Sequence, residues 1–182
     1  MRLAIDLDGV VADFNTGWTT LYNRDFGTNL TADQVDHWGA MLPLTHFSTM
    51  AEFWRWARQG DGPGLFRDLP LLPGAHESLV ALARHHDIVI VTAKPRWANL
   101  ETFAWIAENE IPTNEVHIIE QKWRVDCDVY LDDGPAFLEA LVRNRPDRTV
   151  CRFVQPWNEP VLGARDIHGW DEFVTLVEGR YC

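Results

Sequence analysis

Five short apolar runs constrain the fold of this chain more than any other feature: LAIDLD (3–8), DIVIVTA (87–93), VHIIE (116–120), DVYLDD (128–133) and TVCRFV (149–154). They are rich in Val and Ile and nearly continuous rather than alternating, the pattern of parallel strands covered on both faces. Between them, GAHESLVALARHH (74–86) and ANLETFAWIAENE (98–110) place apolar residues at three- and four-residue spacing, as amphipathic helices do. GWDEFVTLVEG (169–179) reads as a closing helix with Phe173, Leu176 and Val177 on one face. Strands alternating with helices in this way predict an α/β fold with a doubly wound parallel sheet.

The interval between the first run and the second is too long for a single crossover helix. Residues 15–73 therefore read as a small helical cap inserted after the first strand, with residues 1–14 and 74–182 forming the core. Within the cap, NLTADQVDHW (29–38) opens like a helix with Thr31 as N-cap and Gln34 three residues on. STMAEFWRWARQG (48–60) is a second helix candidate, ended by GDGPG (60–64). A length of 182 residues suits one compact domain carrying such an insertion, and no internal repeat is visible.

Composition narrows the function. The net charge is −11 and the pI is near 4.9, without a Lys/Arg-rich stripe, which argues against a stable nucleic-acid partner. No apolar run reaches membrane-spanning length, and Met1-Arg2 leads straight into a strand without a signal-peptide pattern, so a soluble cytoplasmic protein is expected. Cys127, Cys151 and Cys182 are odd in number and far apart, which indicates reduced thiols rather than a disulfide framework or a zinc site. The sequence leaves the oligomeric state open, a homodimer included. An anionic ligand would need a local cation against the overall negative charge.

The chemistry gathers where the strands end. In open parallel sheets ligands bind beyond the carboxyl ends of the strands, and Asp6, Asp8, Thr92, Asp132 and Asp133 all fall there. Asp8-Gly9 alone could be a hairpin turn, but that leaves Asp6 as an unexplained charge in a buried strand. Clustered carboxylates suit a hard cation such as Mg²⁺, with Asp6, Asp132 and Asp133 as candidate ligands. A carboxylate beside a phosphoryl group can act as nucleophile, which suits Asp6, and Asp8 is near enough to move the proton. Gly9 lets the backbone approach a phosphate closely, while the Thr92 hydroxyl and the Lys122 ammonium can bind phosphoryl oxygens.

DLDGVVADF (6–14), VTAKP (91–95), Lys122 and VYLDDGP (129–135) resemble, in order, the four motifs of the haloacid dehalogenase-like (HAD) phosphohydrolases. LYNRDFGTNLTADQVDHW (21–38), GLFRDLPLLPGA (64–75), the spacing from Lys122 to Asp132 and QPWN (155–158) are further similar to the 5′-nucleotidase, deoxy (pyrimidine) type C group, the 5′(3′)-deoxyribonucleotidases. The resemblance implies a Rossmann-like core with a small helical cap and Mg²⁺-dependent hydrolysis of a small phosphomonoester, foremost a nucleoside monophosphate. It implies Asp6 as nucleophile and metal ligand, and Asp8 as general acid/base with its backbone carbonyl on the metal. On the same resemblance Asp132 would be the remaining protein ligand, and Asp133 would support the metal site. Gly9, Thr92, Ala93 and Lys122 would hold the phosphate. Asp13 would order the loop or open the following helix. Phe14 matches the position facing the base, and Trp38 is the cap aromatic expected beside it. Trp54, Trp56, Phe47, Phe53 and Phe66 are expected mostly in the cap's own core. The resemblance gives no role to Lys94 or Arg96, either of which could reach substrate.

Three other readings remain open on sequence alone. A receiver domain also clusters aspartates, a hydroxyl and a lysine on a doubly wound sheet. A phosphatase scaffold can serve as a non-catalytic phosphate-binding protein. The same motifs could also serve a phosphatase for sugar phosphates or for a polynucleotide 3′ end.

Overall fold

The computed structural model describes residues 1–60 and 62–179. Asp61 of the GDGPG cluster and Cys182 lie outside the described residues. The strands are β1 (Arg2–Ile5), β2 (Asp87–Thr92), β3 (Glu115–Ile118), β4 (Val129–Asp132), β5 (Thr149–Phe153) and β6 (Arg165–Ile167). All pair in parallel, in the order β3-β2-β1-β4-β5-β6. The five apolar runs are the first five strands, trimmed by one to three residues, with β1 and β3 each starting one residue earlier than the run. The chain's own β6, RDI, is the strand its sequence did not announce.

In this order β1 lies between β2 and β4, and the winding reverses beside it, so ligands are drawn to the ends of β1 and β4. A receiver's order places the first strand between the second and third, which separates this sheet from that alternative. The register aligns Ile5 with Leu131, so Asp6 and Asp132 emerge side by side one residue later.

The helices are α1 (Phe14–Phe26), α2 (Met41–Leu44), α3 (Met50–Ala57), α4 (Ala75–Leu82), α5 (Asn99–Glu108), α6 (Pro135–Asn144) and α7 (Trp170–Glu178). Helix α1 starts at Asp13, whose carboxylate accepts from the Thr16 N–H at 3.0 Å and the Thr16 hydroxyl at 2.7 Å, and it stops at Gly27, in the left-handed region. Helix α3 opens with a capping box between Thr49 and Glu52. The helix expected from Thr31 is instead a single 3₁₀ turn, Ala32–Gln34. Gln34 does accept from the Thr31 N–H at 2.9 Å, but Val35 leaves helical geometry (φ −88°, ψ 79°). Gly39 then takes the left-handed region at φ +97°, and the chain does not return to an α-helix until Met41.

One apolar cluster joins Leu3, Ile5, Ile90 and Leu131 of the sheet to Trp18 of α1 and Phe53 of α3, with Phe173 of α7 also in it. A second cluster fills the opposite face, with Val89, Tyr130 and Leu141. Cys127 and Cys151 are buried thiols. Among the described residues, no helix is long and apolar enough to cross a membrane.

Candidate active site

The loop after β1 folds tightly because one carbonyl, that of Leu7, accepts the N–H groups of Val10 (3.2 Å), Val11 (2.8 Å) and Ala12 (2.8 Å). Gly9 takes φ +75° at its apex, where a Cβ would lie 2.7 Å from Cγ of Asp133. Asp13 N–H donates to the Pro70 carbonyl at 2.7 Å and Leu72 N–H to that of Val11 at 2.8 Å, so the loop is stitched to the segment returning toward α4.

Beneath this loop three carboxylates converge. Asp6, Asp132 and Asp133 are buried, and one oxygen from each lies within 4.8 Å of the others. Lys122, 2% exposed, sits between two of them, with Nζ 2.9 Å from Asp6 Oδ2 and 2.6 Å from Asp132 Oδ2. It also stands 4.2 Å from the centroid of the Phe137 ring. The Gly134 N–H donates to Asp132 Oδ1 at 2.9 Å. Asp133 Oδ2 accepts from the Trp157 indole at 2.7 Å, and its carbonyl accepts from the Asn158 amide at 2.8 Å. Asp8 is also on the floor of the site, and Lys94 Nζ approaches its Oδ1 to 2.5 Å.

Burial and crowding shape the charges. Burial raises Asp132 to about 6 against the pull of Lys122, with Asp6 adding to the rise. Burial raises Asp133 well above the carboxylate range, and the charges of Asp6 and Asp132 raise it further. The Asp8 side chain is 24% exposed, yet dehydration by its surroundings raises it too, opposed by Lys94. Lys122 is lowered by burial but raised more by Asp132 and Asp6, so it stays charged.

The donor set fits a divalent cation. Four carboxylates (Asp6, Asp8, Asp132, Asp133) face two buried lysines (Lys94, Lys122), which leaves two negative charges uncompensated when all are ionised. Asp6 Oδ1 is buried without a hydrogen-bond partner, an arrangement costly to keep unless a ligand completes it. All the donors are hard oxygens, the set that Mg²⁺ or a similar ion selects.

A cavity of about 230 Å³ opens above this floor. Asp6, Asp8, Gly9, Ala93, Lys122 and Asp133 line its base. Its apolar wall includes Phe14, which stacks on Phe66 (centroids 5.8 Å apart), and Trp54, which stacks on Phe66 in turn (5.9 Å). Trp38, 58% exposed, forms part of the rim. Thr92 ends β2 close by, its hydroxyl buried without a partner, and Asp132 lies under the cavity rather than on its surface. The sequence candidates thus meet at one end of the sheet.

The aromatics expected in the cap core divide. Phe53, Phe47 and Trp56 pack together away from the cavity, whereas Trp54 and Phe66 line it. Sequence reasoning missed Trp157 and Asn158 as supports of Asp133, although they lie in the QPWN stretch that it singled out. Gln155 of the same stretch donates to the Gly9 carbonyl at 2.7 Å. Lys94 faces inward to Asp8 instead of toward the cavity.

The family model described as 5′ nucleotidase, deoxy (Pyrimidine), cytosolic type C protein matches residues 1–181. "Putative nucleotidase OB0422" of Oceanobacillus iheyensis is 33% identical over 119 residues, covering 60% of this chain and 62% of that relative. Nucleotidase CA_C3379 of Clostridium acetobutylicum is 22% identical over 190 residues, covering 98% and 94%. Among solved structures, the "putative HAD-hydrolase YfnB" of Bacillus subtilis, solved bound to magnesium, superposes with a TM-score of 0.64 at 14% identity and 97% of each chain covered, a likeness of fold. The sheet order, the carboxylate floor and a match over nearly the whole chain agree: this chain belongs to the 5′-nucleotidase, deoxy (pyrimidine), cytosolic type C family of phosphomonoester hydrolases, built on the HAD fold.

Proposed function

We propose that the protein is a Mg²⁺-dependent phosphatase that hydrolyses nucleoside monophosphates through an aspartyl-phosphate on Asp6. The observation that carries this reading is the convergence of Asp6, Asp132, Asp133 and Lys122 at the floor of a cavity whose wall is aromatic. Flat apolar walls above a phosphate-sized polar floor suit a base joined to a phosphate through a sugar. Phe14 and Trp38 are the residues assigned to the base.

Asp6, Asp132 and the carbonyl of Asp8 would hold the metal, with Asp133 steadying its surroundings. When bound, the ion neutralises phosphoryl oxygens and offsets the repulsion between phosphate and carboxylates. Lys122, the Thr92 hydroxyl and the Ala93 N–H orient the phosphoryl group, while Gly9, whose N–H is spent on the Ala12 carbonyl at 2.9 Å, contributes by leaving room for the phosphate to approach. An Asp6 oxygen attacks phosphorus, the bond to the leaving oxygen breaks, and Asp8 gives its proton to that oxygen. Asp8 then takes a proton from water as the water attacks phosphorus, which breaks the bond to Asp6 and releases inorganic phosphate. Residues 15–73 act as the cap, and the aromatic wall from Phe14, Trp54 and Phe66 excludes water from the reacting centre.

The test combines a variant with a substrate panel. Asp6→Asn is expected to abolish Mg²⁺-dependent phosphate release while keeping the native circular dichroism spectrum, and retained turnover would refute the nucleophile. Wild type is expected to prefer nucleoside monophosphates to sugar phosphates; equal or better turnover of sugar phosphates would refute the substrate class.

A further inference from the structure

Lys94 is as buried as Lys122, its side chain 2% exposed, yet it neither joins the Asp6–Asp132–Asp133 cluster nor lines the cavity. Its neighbours Ala93 and Pro95 line the cavity, while Lys94 turns the other way. Its side chain runs into a small void behind the β1 loop, shared with Leu7, Ala12, Leu69 and Trp105. There Nζ lies 2.5 Å from Asp8 Oδ1 and 4.2 Å from the centroid of the Phe66 ring. Pro95 restricts the backbone of the residue before it to extended conformations, which helps to aim the side chain.

From this geometry we infer that Lys94 is a positioning residue for the proton-transfer carboxylate: it clamps Oδ1 of Asp8 from behind and so presents Oδ2 to the leaving oxygen. The inference rests on the hydrolase reading above and deepens it. An ammonium packed between a carboxylate and an aromatic face has little room to move, and Lys94 donates to no other carboxylate among the described residues. Among the described residues lining the cavity, Lys122 is the one lysine or arginine, and it is engaged with Asp6 and Asp132, while His37 at the rim pairs with Asp36. The two buried lysines therefore divide their work. Lys122 serves the carboxylates at the phosphoryl end, and Lys94 serves the one at the leaving-group end. A carboxylate that must both give and take a proton benefits from a fixed rotamer, because a misplacement of about 1 Å can cost on the order of 100-fold in rate.

The test exploits the leaving group. A p-nitrophenyl ester departs without needing a proton, whereas an alkyl ester such as a nucleoside monophosphate needs one. First-turnover rates with Mg²⁺ are compared for wild type and Lys94→Met on both esters, with Asp8→Asn alongside. Lys94→Met is expected to lose about 10- to 100-fold more on the alkyl ester than on the p-nitrophenyl ester, the same pattern as Asp8→Asn but milder. Equal losses on both esters would show a merely structural role and overturn the inference, as would wild-type rates on both. If Lys94→Met does not fold, Lys94→Gln, which keeps an N–H donor without the charge, is judged by the same ratio. Wild type that hydrolyses neither ester would instead overturn the hydrolase reading, and this inference with it.

Discussion

Replacing Gly9 by alanine tests how tightly the β1 loop and the carboxylate floor are built together. Two costs add. At φ +75° an L-residue is strained by about 1–2 kcal/mol relative to glycine. The new Cβ would also lie 2.7 Å from Asp133 Cγ, which no real contact tolerates, so the carboxylate must move. Asp133 is not free to do so at low cost, since Trp157 holds its side chain and Asn158 its carbonyl. Forcing extra volume into such a site costs about 1–3 kcal/mol. The expected total is about 2–5 kcal/mol, a large share of the roughly 5–15 kcal/mol that stabilises a domain. Urea unfolding with the metal chelated would show this as a lower midpoint with an unchanged slope. A double-mutant cycle with Asp133→Ala separates the two costs. Removing the obstructing carboxylate should relieve the steric part, with a coupling of about 1–3 kcal/mol, and leave the backbone part in place. A loss under about 1 kcal/mol, or coupling below about 0.5 kcal/mol, would refute the account of this contact.

Two further outcomes follow from the charges. Lys122→Met leaves Asp6 and Asp132 without their shared cation, so it is expected to destabilise the chelated protein by about 3–5 kcal/mol, with Asp132→Asn restoring part of the loss; an unchanged urea midpoint would refute this. At the amino end of the sheet, Glu115 is held down to about 2 by Arg2, with His117 also paired to it. Its folded value lies below its unfolded one, so its contribution is full above pH ~4.5 and fades as pH falls toward 2. The pair is 39% exposed on each side, which screens the effect to about 1 kcal/mol. Glu115→Gln should therefore be less stable than wild type at pH 7 and equal to it near pH 2, and a difference constant with pH would refute the assignment.

The parts of this molecule legible in its sequence are those governed by burial on both sides. Parallel strands covered by helices must be apolar throughout, so β1, β2, β4 and β5 stand out, and carboxylates at their ends are conspicuous by contrast. Strand β6 escapes because it has three residues, two of them charged, and pairs with one neighbour at the sheet's edge. The Thr31 turn misleads because a capping box describes how a helix begins and carries nothing about whether packing sustains it. Lys94 meets Asp8 across 86 residues of sequence, and Trp157 meets Asp133 across 24. Such pairings are set by which loops share the end of the sheet, and no local spacing encodes them. The cap aromatics are alike in composition, and only the fold sorts Trp54 and Phe66 onto the cavity from Phe53 and Trp56 away from it.

The tight loop that folds around the Leu7 carbonyl links two jobs that enzymes often keep apart. Asp6 at its entrance and Phe14 at its exit belong to one continuous, rigid stretch, stitched at Asp13 to the chain returning from the helices. Distance between the reacting centre and this part of the wall is thus written into the backbone and is the same for every ligand. Trp38 and Met41, by contrast, reach the cavity from a separate segment that, among the described residues, no backbone hydrogen bond ties to the loop. On the proposed reading, substitution at the far rim would change the choice of ligand alone, whereas any change in the ruler between Asp6 and Phe14 would change the chemistry with it.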